Sequence, residues 1–233
     1  RWENVAAIPL TTFNDWTKKV STDMRKDLKR AASRGVVTNV VELDDDLAQR
    51  IVELHNETPV RQGKKFKHFG KDFATVKRDY ESYIDRSYFI AAYHEEELIG
   101  LIKIVQVGDL ACMMQILSKT AHYDKRPTNA LISKAVEASV VKGCSYLTFG
   151  QLYYRKQTRS SVADFKRRNG FEGIYFPRYY VPITLFGKIG VFFRLYEGVQ
   201  VLIPRFLYSF LIDARAALRR WLSNTKKKID NLS

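Results

Sequence analysis

Three cations, Lys166, Arg167 and Arg168, crowd the end of one short helical stretch, "SSVADFKRRNGFE", just before a tyrosine-rich strand. They form either a solvated helix face, the usual fate of a charge run, or a hold for an anionic substrate over a sheet. Successive helical side chains are set about 100° apart, so Phe165 is expected to face the core and only one or two of the cations can share a direction. A second group lies in "HYDKRPTNA", where Pro127 suits the first position of a helix and Thr128 and Asn129 its first turn. A helix start presents N–H groups that lack intrahelical partners, at the positive end of the dipole, and Lys125 and Arg126 add charge there. The stretch is a candidate phosphate cradle as well as an ordinary helix start. Phenols can protonate a leaving thiolate or alkoxide, which brings in Tyr123 inside the cradle and Tyr153 in the loop "GQLYYRKQTRSS". In "ETPVRQGKKFKHFGKDF", Glu57 is a candidate base through water and His68 one near neutral pH. No Ser-His-Asp or Cys-His arrangement is evident. His55, His68, His94 and His122 are scattered without companions at ligand spacing, so no metal is expected.

The elements that must carry these groups alternate along the chain. A basic helix is expected from about Asn14 to Arg34, with Asn14 as its N-cap and Gly35 as its stop. "VVTNVVEL" reads as a strand, and "DDDLAQRIVELHNET" as a helix with acidic residues in its first turn. "KDFATVKRDYESYIDR" places Phe73, Val76, Tyr80 and Tyr83 or Ile84 on one core-facing stripe. "SYFIAAYHE", "ELIGLIKIVQVG" and "DLACMMQILSK" predict an antiparallel meander of three strands. The helix "RPTNALISKAVEASVVKG", the buried strand "CSYLTFG", the short helix at Lys166 and the strand "GIYFPRYYVPITL" follow. This order implies an α/β (α+β) fold, a mixed sheet with helices on both faces.

Composition sets the partners. Lys and Arg number 39 against 25 Asp and Glu, a net charge of +14, which favours phosphate groups, nucleic acid or an acidic membrane surface. The two cysteines, Cys112 and Cys144, sit in apolar runs and suit reduced thiols in a cytoplasmic protein. The sequence opens without Met or an apolar signal core, which is compatible with a start inside a longer protein and leaves an upstream domain open. Two regions are expected, 1–185 and a basic amphipathic helical tail at 186–233. The tail is rich in Phe, Leu and Ile but interrupted by charge too often to span a bilayer; with Trp221 and its Lys and Arg it suits either an anionic lipid surface or packing on the domain.

The element order resembles the GNAT acyltransferase fold. "RPTNALISKAVEASVVKGCSYLTFG" followed by "DFKRRNGFE" is similar to the second half of the FemAB-like aminoacyltransferases, as is the basic opening "MRKDLKRAASRGV". The likeness runs from about Met24 to Tyr180. It implies a GNAT-like, largely antiparallel sheet in which two neighbouring strands splay to admit an acyl donor while an amine enters opposite. It also implies that Lys166, the lysine of a Phe-Lys pair, sits at the groove and contacts substrate phosphate, and that Thr58 and Arg61 form a Thr-x-x-Arg segment facing that groove. The implied activity is N-acyl or aminoacyl transfer to the amine of a cell-envelope or polysaccharide precursor, free or lipid-linked. The donor would be acyl-CoA or aminoacyl-tRNA, nucleic acid being a partner only in the second case. The cradle departs from the acetyltransferase pattern by lacking glycines, which puts coenzyme A in doubt. A catalytically silent module that binds anionic glycan, lipid or nucleic acid is the alternative.

Overall fold

A computed structural model describes residues 2–61, 63–153 and 160–197. They fall into two compact units, Trp2–Pro177 and a second that begins at Arg178.

In the first unit, β1 (Trp2–Pro9) leads into α1 (Phe13–Lys19) and α2 (Thr22–Ser33), then β2 (Val36–Val41) and α3 (Asp45–Asn56). A two-stranded hairpin, β3 (Val60–Arg61) and β4 (Lys64–Lys65), precedes α4 (Phe73–Glu81). The meander is β5 (Ser87–His94), β6 (Glu97–Val107) and β7 (Leu110–Ser118). A 3-10 turn at Thr120–Lys125, α5 (Pro127–Val141), β8 (Tyr146–Thr148), α6 (Ser161–Arg168) and β9 (Glu172–Pro177) complete it.

The sheet order is β2-β5-β6-β7-β8-β1-β9, antiparallel everywhere except between β7 and β8. The meander and the mixed, helix-flanked sheet are as expected. Alternation along the strands sends their side chains into two apolar layers. Tyr88, Ile90, Ile102 and Ile104 face Trp16, Met24 and Leu131 of α1, α2 and α5, while Phe89, Ala91 and Leu101 face Leu47, Ile51 and Val76 of α3 and α4.

Three local expectations are corrected. The basic helix is two helices, because the Ser21 hydroxyl accepts from Met24 N and starts α2 afresh, while Thr12 rather than Asn14 caps α1. The opening segment, given no role by its pattern, is β1, buried at Ala6, Ala7 and Ile8 between β8 and β9. The fourth helix stops at Glu81; Tyr83 adopts φ +58 and both it and Ile84 are exposed, so the core stripe ends at Tyr80.

The second unit contains α7 (Leu185–Phe192) and a 3-10 turn at Leu195–Glu197, with the Tyr180 ring stacked 4.1 Å from Tyr196. The rest of the expected tail, including Trp221, lies outside the described residues.

Candidate functional site

The parallel pair that closes the sheet is short. Only Leu110, Ala111 and Cys112 of β7 pair with Tyr146, Leu147 and Thr148 of β8, whereas β6 follows β7 as far as Ser118. Between Lys103↔Gln115 and Ile104↔Met113 the register slips by one, leaving Met114 as an extra residue in β7. A bulge bends its strand. It falls just past the last β7–β8 pair, so the far half of β7 turns along β6 without β8 beside it. The wedge between the two strands holds a hollow of about 580 Å³. Ile116, Leu117 and Ser118 wall one side, Phe149 and Phe165 the other, and the start of α5 closes an end.

Arg61 lies in that wall and is nine-tenths buried. One guanidinium nitrogen donates to Ser118 O at 2.7 Å and the other to Leu54 O at 3.3 Å and to Glu57 Oε2 at 2.9 Å, with the Phe66 ring 4.7 Å away. Glu57 also accepts from Thr120 N at 2.8 Å, Thr120 Oγ1 at 2.9 Å and Ala121 N at 2.9 Å. Burial alone would raise its pKa, but the donors at Ala121 and Thr120, with the Arg61 charge, outweigh burial and hold the carboxyl below its ordinary value. Both carboxylate oxygens are engaged in fastening the 3-10 turn that carries Tyr123 to α3. Glu57 is thus placed as a positioning group rather than as a base with an open lone pair toward the hollow.

Tyr123 lines the hollow and is 45% exposed, which leaves its phenol accessible. Arg126, Thr128 and Asn129 line it too. Arg126 adopts φ +58 at the N-cap of α5, so the left-handed turn that the missing glycines would have supplied is made by an arginine. Its guanidinium reaches Asp27 of α2 at 3.1 Å. α5 has no side-chain cap, whereas Thr12, Ser21, Asp44, Asp72, Ser160 and Thr184 each cap their own helices. The Thr128 hydroxyl shares a hydrogen bond with Ser118 Oγ at 2.8 Å, joining α5 to β7. Asn129 is buried and donates to Met24 Sδ at 3.1 Å. Lys125 lies 3.7 Å from Asp124 and is not among the lining residues.

Lys166 takes the place expected of its neighbour. It is 1% exposed, and its ammonium donates to the carbonyls of Phe149 at 2.5 Å and Gln151 at 2.8 Å, 4.2 Å from the Phe149 ring centre. Phe165, expected in the core, is half-buried and faces the hollow. Burial lowers the Lys166 pKa to about 8. Its direct contacts are with the chain leaving β8, so it shapes the wall of the hollow from behind. Tyr153 lies farther along that chain: Asn4 accepts from its N–H at 2.9 Å and donates to its carbonyl at 3.1 Å, while its phenol accepts from Arg167 at 3.2 Å.

His68 and Thr58 stand outside the wall. The His68 ring is 5.4 Å from Phe66 and 5.1 Å from His55, and burial, followed by the Lys71 charge, lowers its pKa and disfavours its charged form. Thr58 makes a local turn with Val60. No group of three metal-ligating side chains occurs among the described residues. The structure thus brings together Arg61, Tyr123, Arg126, Thr128 and Asn129, and keeps Glu57 and Lys166 one contact behind.

Sequence reasoning missed Ser118, Phe149 and Asn169. Asn169 is buried, accepts from the Trp16 indole at its carbonyl (3.1 Å) and donates to Phe165 O at 2.7 Å, locking α6 to α1. The Asn-Gly pair after the cations was its only local signal.

Solved structures share this architecture, three of them as follows. FemX superimposes with a TM-score of 0.59 at 11% identity, covering 73% of this chain and 59% of FemX. The L-PGS structure from Bacillus licheniformis gives 0.51 at 12% identity, over 75% of this chain and 61% of that one. The C-terminal domain of an Agrobacterium fabrum protein named for lysylphosphatidylglycerol synthetase gives 0.53 at 12%, over 75% and 60%. The chain spans about three-fifths of the length of each. No protein-family model and no curated protein sequence matches. The fold is GNAT-like, in its FemAB-like form, as the resemblance implied.

Proposed function

We propose that the protein transfers an acyl or aminoacyl group to an amine, with the β7–β8 wedge as its reaction site. The observation that carries this is the hollow itself: apolar walls with a few convergent polar groups, opened by a bulge in one strand and closed at one end by an uncapped helix start. An anionic portion of the donor is matched by the α5 N–H groups and Arg126. The donor carbonyl lies along the unpaired edge of β7. The amine adds to the carbonyl carbon, forming the N–C bond, and backbone N–H groups stabilise the oxyanion. Collapse breaks the C–O or C–S bond. The leaving alkoxide or thiolate takes the Tyr123 proton, and the phenolate recovers one from the new ammonium. Arg61 and Tyr123 meeting in one concave site favours transfer over a silent binding module, whose cations would spread over a convex face.

Two acceptors are in view, the cell-envelope precursor that the sequence resemblance implied and a membrane lipid, which the name lysylphosphatidylglycerol synthetase of one similar structure suggests. The purified protein should be offered an aminoacyl-tRNA mixture or acyl-CoA with an amine-bearing envelope precursor, and the products weighed by mass spectrometry. Tyr123→Phe should lower kcat by roughly 10²-fold or more with little change in KM. Unchanged kcat would remove the phenol from the reaction, and no product from either donor class would favour the binding module.

A further inference from the structure

Helix α7 exposes its large apolar side chains and half-buries its glycines. With about 100° per residue, Leu185, Phe186, Ile189 and Phe192 of α7 fall within one arc of about 120°, and Gly187, Gly190 and Val191 occupy the opposite side. The glycine side is half-buried, and Gly187 sits against Thr184 and Pro182. The large apolar side is exposed, Phe186 at 85% and Phe192 at 80%. Val181 and Ile183 before the helix are exposed as well. Lys188 borders the arc, about 40° beyond Phe192. A contiguous apolar face of this kind marks a contact surface rather than scattered exposed residues.

We infer that α7 and the segment leading into it dock on an anionic lipid bilayer, the apolar arc entering the headgroup boundary while Lys188 stays at its rim. Charge selects this partner. From residue 178 to the end, the sequence has ten Lys or Arg against three acidic residues, so half of the chain's net charge of +14 lies in its last quarter. Large aromatic and aliphatic side chains beside a cation are the composition of an interfacial helix, and attraction to anionic headgroups adds to apolar insertion. No helix among the described residues is long and apolar enough to cross a membrane. The inference does not depend on the transfer reaction.

The test is co-sedimentation of the full chain with vesicles of phosphatidylcholine alone and of phosphatidylcholine with about one-third phosphatidylglycerol. Wild type should partition onto the anionic vesicles, and raising salt from about 0.1 M to about 0.5 M should weaken this. Phe186→Ser with Phe192→Ser should reduce partitioning at least tenfold while circular dichroism is unchanged, both side chains being exposed. Lys188→Glu should reduce binding to anionic vesicles alone. Equal partitioning of wild type and the double variant would overturn the proposal, as would absence of wild-type binding. So would a double variant that loses a concentration-dependent dimer in sedimentation velocity and keeps its vesicle binding, which would make the face a contact between copies.

Discussion

At the scale of single residues, Lys166 is a cation that a motif singled out and that serves the site without lining it. Its pKa is about 8 against an ordinary 10.5, because burial disfavours the ammonium. Between those values the native chain has released a proton that the unfolded chain still binds, so unfolding becomes harder as pH rises through that window. Urea unfolding should show a gain on the order of 1–3 kcal/mol from pH 8 to pH 10, and Lys166→Met should show less of it. An identical slope in the variant would place the effect elsewhere. Lys166→Ala is expected to weaken the fold, since two carbonyls at the exit of β8 lose their donor. Glu57 obeys the opposite sign: its lowered pKa means stability present at neutral pH and lost as pH falls through the folded value. Glu57→Gln turns an amide N–H₂ toward donors from Thr120, Ala121 or Arg61, and should destabilise by about 1–3 kcal/mol in the same assay. It should also lower kcat through the loosened Tyr123 turn; unchanged stability and kcat would show the carboxylate to be dispensable.

At the scale of elements, sequence legibility followed the range of the interaction. α3, α5 and the meander are set by local periodicity, with the Asp44 cap starting α3 and Pro127 starting α5, and they appear where the pattern puts them. The α1–α2 break was also local, a Ser21 cap, but the surrounding helix-forming residues masked it. What fixes that break is distant: Ser21 N and Oγ both donate to Arg168 O, at 3.3 and 3.1 Å. Lys103, in the middle of an apolar strand, had no readable partner; it is 2% exposed, and its ammonium meets the carbonyls of Tyr80 and Ser82 and the Ser82 hydroxyl, where α4 ends. A cation there complements the negative end of the helix dipole. The Met114 bulge leaves no mark in a sequence of alternating large residues, so the wedge itself was implied only by resemblance. Gly170 combines both ranges. It has φ +88, and a Cβ would sit 2.9 Å from Trp16 Nε1. Gly170→Ala should therefore destabilise by about 1–3 kcal/mol, through backbone conformation and the displaced indole together. A thermal midpoint equal to wild type would mean that the α1–α6 junction yields without loss.

At the scale of the whole molecule, the hardest feature to read was which distant segments meet. β1 pairs with β8 and β9 across some 140 to 175 residues of chain, Ala7 with Thr148 and Trp2 with Pro177, and no periodicity carries that information. The candidate site depends on such meetings: Arg61 and Glu57 come from the end of α3 and β3, Tyr123 from a turn after β7, Phe165 from α6. Their residue types were legible one by one, and their convergence was not. Among the described residues, by contrast, both apolar layers and all seven strands of the sheet lie within Trp2–Pro177. A chain ending at Pro177 should accordingly keep its thermal midpoint within about 3 °C of the full chain, since a change of 1 kcal/mol in a domain of this size shifts it by roughly that much. A fall of about 10 °C would mean that residues beyond Pro177 contribute several kcal/mol to the first unit. The same truncated chain, if it folds as expected but no longer sediments with anionic vesicles, would assign lipid contact to the second unit while leaving the wedge intact for donor assays.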